Sequence, residues 1–214
     1  MDLVLIRHPA VAVEPGVCYG NSDVPLAADA AASAALLASR LAALNVPLPH
    51  VLFTSPLSRC ARVAQALALE ARCDLHTDAR LAEMHFGTWE LQRWDAIDRA
   101  ALDAWAADFE HAREHGGESV AQFVARVNAW LDVSVDSGAQ VDTVAATHEH
   151  AMPPVAQSTA LWAVTHAGVI RAIASRVLGL PLAHCMKWPL ALPAVVWLRR
   201  DALDSPWALV RWNV

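Results

Sequence analysis

The chain begins MDLVLIRHPA (residues 1–10), an apolar run that ends directly on an arginine, a histidine and a proline. Four consecutive apolar residues, 3–6, predict a strand that is buried on both faces. Pro9 has no N–H for a ladder, so the strand is expected to end there. Arg7 and His8 would then lie where open α/β sheets bind their ligands. The alternative is a strand that meets solvent with two polar residues, and the rest of the chain decides between these interpretations.

The composition indicates a compact globular protein. The 214 residues are 56% hydrophobic and 18% charged, which excludes a disordered chain. The net charge is −6 and no basic run is present, so we expect no nucleic-acid partner. Neither a signal-peptide pattern nor an apolar stretch of about 20 residues is found, and the four cysteines are scattered. We therefore expect a cytoplasmic protein with no membrane segment.

Apolar runs alternate with helical segments along most of the chain. This alternation predicts a three-layer α/β/α fold around a mostly parallel sheet. Besides the first strand, the pattern predicts strands at 51–54, 72–77, 161–165, 194–198 and 207–212, and helices at 26–44, 57–71 and 169–178.

Two segments depart from this alternation within the single domain that we expect over residues 1–214. Residues 89–136 are mostly helical and contain four of the nine tryptophans, which predicts a helical cap. Residues 137–159 have weak periodicity and predict an insertion or a long loop. His148-Glu149-His150 within this segment has metal-binding side chains, but we interpret it as part of a solvated loop.

Two later strand ends carry the same kinds of residue as the first one. Arg59 falls in the first turn of the helix after the second strand, and His166 ends the strand at 161–165. If these strands are neighbours in a parallel sheet, both residues converge with Arg7 and His8 at its carboxyl edge. Helix N-termini at this edge direct N–H groups to the same place, which favours an anion.

These side chains suit a phosphate group. Arginine binds phosphate with a planar fork of donors. A neutral imidazole can attack phosphorus when a hydrogen bond holds its second nitrogen. The cations can neutralise the charge of phosphoryl transfer, and the sequence has neither a P-loop nor a carboxylate cluster for Mg²⁺. We therefore predict a reaction without metal or cofactor on a small phosphorylated metabolite.

The leaving alkoxide of such a reaction needs a proton. A carboxyl group beside a bound phosphate keeps its proton more readily, because the negative charge of the phosphate disfavours the carboxylate. Glu83 and Glu90 lie in the same stretch, and on chemistry alone either could serve. A solvated surface charge is the alternative for each.

Four short motifs occur in order along the chain: Leu5-Ile6-Arg7-His8, Ser55-Pro56-Leu57-Ser58-Arg59, Leu81-x-Glu83-x-x-Phe86-Gly87-x-Trp89-Glu90 and Val164-Thr165-His166-Ala167-Gly168-Val169-Ile170-Arg171. Together they resemble the histidine phosphatase superfamily, which has the phosphoglycerate-mutase-like fold. The resemblance implies a phosphatase in which His8 is phosphorylated and Glu83 donates the proton. It also implies a phosphate pocket formed by Arg7, Arg59 and His166 with the backbone at Ala167.

Further stretches, at 16–26 and 86–97 with Gly116-Gly117-Glu118-Ser119 downstream, resemble the α-ribazole phosphatase branch. Those enzymes remove the 5′-phosphate of α-ribazole phosphate in cobalamin nucleotide-loop assembly. The resemblance suggests ribose contacts from Tyr19 and Asp23, with a turn as the alternative, and a base contact from Trp89, with core or lid packing as the alternative. A broad-specificity phosphatase, a phosphoglycerate mutase and a homodimeric assembly stay open.

The residues after His8 depart from the family pattern. The family usually has glycine there, followed by an acidic and a hydroxyl residue, whereas this chain has Pro9, Ala10 and Val11. Proline removes a backbone N–H, and the loss of one oxyanion donor can cost on the order of 100-fold in rate. A degenerate domain that only binds phosphorylated ligands is therefore the alternative class. The retained histidines, arginines and Glu83 favour an enzyme.

Overall fold

A six-stranded sheet forms the centre of the computed structural model, which describes residues 1–136, 160–202 and 204–214. Its strands are β1 (Asp2–Arg7), β2 (Pro49–Thr54), β3 (Asp74–Thr77), β4 (Ala160–Thr165), β5 (Ala194–Arg199) and β6 (Ala208–Arg211). The predicted insertion at 137–159, including His148-Glu149-His150, lies outside the described residues.

The strand order is β3-β2-β4-β1-β5-β6. The first four strands in this order are parallel, whereas β5 is antiparallel to β1 and β6 is antiparallel to β5. The connection between β5 and β6 is too short for the crossover that a parallel pair needs. The predicted mostly parallel sheet is confirmed, with an antiparallel pair added at one edge.

The helices of the described residues are α1 (Ala30–Ala43), α2 (Ser58–Ala71), α3 (Arg99–Ala107), α4 (Val120–Asp136), α5 (Ala167–Leu178) and α6 (Leu182–Cys185). Four of them form two layers on the sheet. Helices α1 and α2 cover one face with Val4 and Ile6 of β1, and α4 and α5 cover the other with Leu3 and Leu5. Alternate residues of one strand thus enter separate cores, and the three-layer α/β/α fold is confirmed.

Helix α1 begins four residues later than its composition predicts. The Asp29 side chain accepts from the amide of Ala32 and so caps the helix at residue 30. Residues 26 and 27 instead pair with the loop after β1, where the amide of Ala27 donates to the carbonyl of Ala10. The cap and this pairing set the start of the helix.

The range 89–136, predicted as a cap, divides into two parts. Helix α4 buries Phe123, Val127 and Trp130 in the core beside the sheet, so it belongs to a helix layer. The preceding part contains α3 and a separate small cluster around Trp89 and Ile97. No helix within the described ranges is both long and apolar enough to cross a membrane.

Candidate active site

The site lies where β1 and β4 end side by side. Arg7 pairs with Thr165 in the parallel register, and the amide of His8 donates to the carbonyl of Thr165 at 3.0 Å. The ring centroids of His8 and His166 are 5.1 Å apart. The structure therefore brings together the two histidines that the strand ends predict.

His8 is held as a neutral imidazole. Its Nδ1–H donates to the carbonyl of Pro9 at 2.7 Å, and the side chain is almost fully buried. Burial lowers the pKa of His8 from 6.5 to about 3, and the positive charges of Arg59 and Arg7 act in the same direction. Because Nδ1 carries the proton, Nε2 keeps its lone pair.

His166 is oriented by a residue that the sequence reasoning missed. Its Nε2 shares a hydrogen bond of 2.8 Å with the hydroxyl of Ser55, which follows β2. Burial lowers the pKa of His166 well below its usual range, and the charge of Arg59 adds to this effect. The sequence feature that could have identified Ser55 is its position at the end of a buried strand, next to Pro56.

Arg59 connects helix α2 to the loop at residues 19–22. Its Nη1 and Nη2 donate to the carbonyls of Ser22 and Gly20 at 2.7 and 2.6 Å, and the Tyr19 ring lies 5.1 Å from its guanidinium carbon. The side chain is fully buried. Its Nε, however, has no hydrogen-bond partner in the described part of the chain.

Arg7 resembles Arg59 in the contacts of its guanidinium. Its Nη1 donates to the carbonyl of Leu190, while its buried Nε has no partner within the ranges that the structure covers. Ala167 is the first residue of α5, where backbone N–H groups have no partner inside the helix. Because buried donors are normally satisfied, these N–H groups favour an anion at this position.

The two candidate acids have different surroundings. The Glu83 carboxyl accepts from the amide of Gly168 at 3.0 Å and from the amide of Met84 at 3.2 Å, so it faces the start of α5. The Glu90 carboxylate accepts from the amides of Asn21 and Phe86 at 3.0 and 2.9 Å. Glu90 therefore links two loops, whereas Glu83 is hydrogen-bonded to the first turn of α5, two residues after His166.

The predicted substrate contacts fall in three different environments. Tyr19 lies at the site, with its ring centroid 6.4 Å from that of His8. Asp23 is exposed and accepts from the amide of Ser58, the first residue of α2, at 2.7 Å. Trp89 is only 5% exposed and packs against Trp105. The substrate contacts of all three residues stay predictions.

An apolar cleft of about 190 Å³ opens beside Glu83 and Gly168. Its volume exceeds the about 150 Å³ that accommodates a benzene ring. Arg171 lies on its wall, donates to the carbonyl of Trp188 at 2.8 Å and has a buried Nε without a partner in the described ranges. The apolar lining consists mainly of Met84, Phe86, Trp105, Phe109, Phe123 and Met186.

A mostly parallel sheet with two buried histidines and two arginines at its carboxyl edge is typical of phosphatases and mutases that use histidine. The chain belongs to the histidine phosphatase superfamily (branch 1), whose family model matches residues 3–214.

Named relatives within this family differ in activity. The chain is 29% identical over 199 residues to the probable phosphoglycerate mutase GpmB of Proteus mirabilis, covering 91% of this chain and 81% of that protein. It is 28% identical over 223 residues to a glucosyl-3-phosphoglycerate phosphatase of Mycolicibacterium vanbaalenii, covering 99% and 92%. The fold matches the crystal structure of the α-ribazole phosphatase from Shigella flexneri with a TM-score of 0.78 and 23% identity, covering 100% and 96%.

Proposed function

We propose that the protein hydrolyses phosphate monoesters through a phosphohistidine on His8. The observation that carries this proposal is the hydrogen bond of 2.7 Å from His8 Nδ1 to the carbonyl of Pro9. It directs the lone pair of Nε2 away from Pro9 in a buried, neutral ring. Such an imidazole is a nucleophile at neutral pH, whereas a protonated one is not.

In the first step, the lone pair of His8 Nε2 forms a bond to phosphorus as the bond from phosphorus to the ester oxygen breaks. The free N–H groups of Arg7 and Arg59 bind the phosphoryl oxygens, because each has a buried Nε available. The protonated Glu83 carboxyl gives its proton to the leaving oxygen. The products are an alcohol and a phosphohistidine.

In the second step, water attacks the phosphorus of the phosphohistidine. The Glu83 carboxylate takes a proton from this water, the bond between nitrogen and phosphorus breaks, and His8 Nε2 recovers its lone pair. Glu83 lies on the wall of the cleft that the departing alcohol vacates, so the same carboxyl can serve both steps. His166 lies next to His8, with ring centroids 5.1 Å apart, and so borders the phosphoryl group that His8 would carry.

The substrate that we favour is α-ribazole 5′-phosphate. The apolar cleft beside Glu83 is large enough for an aromatic ring, and the fold is shared with an α-ribazole phosphatase. A phosphorylated glycerate is the second candidate, because two relatives are named for such compounds and Arg171 could pair with a carboxylate. A phosphate-binding domain without turnover is the non-enzymatic alternative.

Assays of one purified preparation of the protein on three phosphate esters distinguish these candidates. We expect the highest kcat/KM on α-ribazole 5′-phosphate, less on 4-nitrophenyl phosphate and least on 3-phosphoglycerate, with no loss of activity on adding a chelator. A preference for a phosphorylated glycerate would reject the favoured substrate while retaining the mechanism. Phosphate binding without turnover of any ester would reject the enzymatic proposal.

A further inference from the structure

Arg126 of α4 holds the segment that carries Glu83 with three of its N–H groups and binds Glu118 with the other two. Its Nη1 donates to the carbonyls of Arg80 and Ala82, both at 2.8 Å. Its Nη2 donates to the Glu83 carbonyl at 3.0 Å and to Glu118 at 2.8 Å. Its Nε donates to the other oxygen of Glu118 at 2.6 Å. A guanidinium has five N–H groups, so none is left for a ligand.

The held segment lies in no strand or α-helix, and its first residues belong to a short 3-10 helix, Ala79–Leu81, that Asp78 caps by accepting from the amide of Arg80. Leu81 and Met84 anchor the segment in the core. The Leu81 carbonyl accepts from the hydroxyl of Thr165 at 2.7 Å, at the end of the strand that precedes His166. The four successive carbonyls of residues 80–83 are thus held by α4 on one side and by β4 on the other.

Glu118 completes this arrangement. Its carboxylate binds Arg126 with both oxygens and also accepts from the amide of His85 at 3.1 Å. The Glu118 amide donates in turn to the His85 carbonyl at 2.8 Å. The pair is 22% exposed on each side, so water screens it less than a surface pair. The Arg126–Glu118 pair therefore covers residues 80–85 on the side that faces α4.

We propose that Arg126 is a positioning residue that aims the Glu83 carboxyl at the leaving group. Arg126 contacts the backbone carbonyl of Glu83 and not its carboxyl group, and Glu118 balances its charge. It therefore acts through the position of the Glu83 backbone. This inference rests on the proposed function, because the proposed function is what makes Glu83 the proton donor.

The test compares two esters with different demands for a proton. The leaving group of 4-nitrophenyl phosphate needs almost no protonation, whereas that of propyl phosphate depends on it. The parameter is kcat/KM, which covers steps up to the phosphoenzyme and excludes the attack of water. The benchmark is Glu83→Gln. The matched control is Arg176→Ala, which removes an exposed ion pair between α5 and Asp132 of α4.

For Arg126→Ala, we expect kcat/KM to fall about 10- to 100-fold more on propyl phosphate than on 4-nitrophenyl phosphate, approaching the benchmark. Arg126→Lys keeps the charge without the fork, so it should show the same difference to a smaller degree. Arg176→Ala should change neither value. Equal losses on both esters in the Arg126 variants, or no loss, would overturn the proposal.

Hydrogen exchange of residues 80–85, measured by mass spectrometry, gives a second readout that needs no activity. Exchange in this segment should be faster in both Arg126 variants than in wild type and unchanged in Arg176→Ala. If Arg126→Ala does not fold, Arg126→Lys carries both measurements. Wild type that hydrolyses neither ester would reject the proposed function alone, and unchanged exchange in the Arg126 variants would then reject the positioning.

Discussion

At the scale of single residues, the backbone oxygen of Pro9 determines the chemistry of His8. Proline removes an N–H at this position, but its carbonyl accepts the Nδ1 proton of the histidine. The departure from the family pattern therefore retains the contact that keeps Nε2 unprotonated. This geometry favours the enzymatic interpretation over a degenerate binding domain.

At the same scale, Arg59 holds the loop at residues 19–22 with Nη1 and Nη2, and the proposed mechanism assigns its buried Nε to phosphate. We expect Arg59→Ala to lower kcat/KM on 4-nitrophenyl phosphate by at least about 100-fold, as loss of a charged donor in a buried site does. Arg62→Ala is the control, since Arg62 is exposed on the same helix. Similar activities for the two variants would remove Arg59 from the phosphate pocket.

At the scale of secondary-structure elements, the apolar runs predicted the central strands well because burial on both faces leaves a continuous apolar signature. Local composition could not predict the contacts of Arg126. Its partners at 80–83 lie more than 40 residues away in the chain, so only the fold reveals them.

Local composition also could not decide whether Glu83 or Glu90 is the acid, or where Trp89 packs. Chemistry alone allowed Glu83 or Glu90, and only the resemblance favoured Glu83. An aromatic ring near a binding cleft can face the ligand or the interior, and Trp89 packs in the interior because Cys18 and Ile97 cover it. The positions of the residues assigned to phosphate were predictable because each lies at the end of a buried strand or in the first turn of a helix.

The start of α5 offers a test at this scale. A methyl group on Gly168 would lie 2.3 Å from Glu83 Oε1, so Gly168→Ala should displace the Glu83 carboxyl. We expect kcat/KM on propyl phosphate to fall about 10-fold or more, with thermal stability little changed because a flexible side-chain end can move. In a Glu83→Ala background the same change should cost almost nothing further. An equal loss in both backgrounds would show that Gly168 acts independently of Glu83.

At the scale of the whole molecule, three buried histidines of the described residues, His8, His115 and His166, have lowered pKa values and make stability depend on pH. Histidine in the unfolded chain has a pKa near 6.5, whereas the pKa of His8 is about 3 in the fold and that of His166 is also lowered. Between these values the unfolded state binds more protons, so stability falls as the pH falls below about 6.5.

With a pKa of about 3, His8 should remove ~2 kcal/mol from the free energy of unfolding between pH 7 and pH 5. Urea unfolding at both pH values measures this loss. His8→Gln should reduce the pH effect by about this amount, and His184→Gln, at an exposed position, should leave it unchanged. A free energy of unfolding that is the same at pH 7 and pH 5 would show that these imidazoles are not buried in neutral form.

The central claim for the whole molecule is a covalent phosphohistidine at His8, and rapid quenching tests it most directly. Enzyme mixed with ³²P-labelled substrate is stopped in alkali within milliseconds, because phosphohistidine is stable in base and labile in acid, and the labelled peptide is then identified. The account predicts up to one phosphate per chain on the peptide that contains His8, lost on acid treatment and absent in His8→Gln, which should be inactive. Turnover without label on that peptide, or activity that survives in His8→Gln, would contradict it.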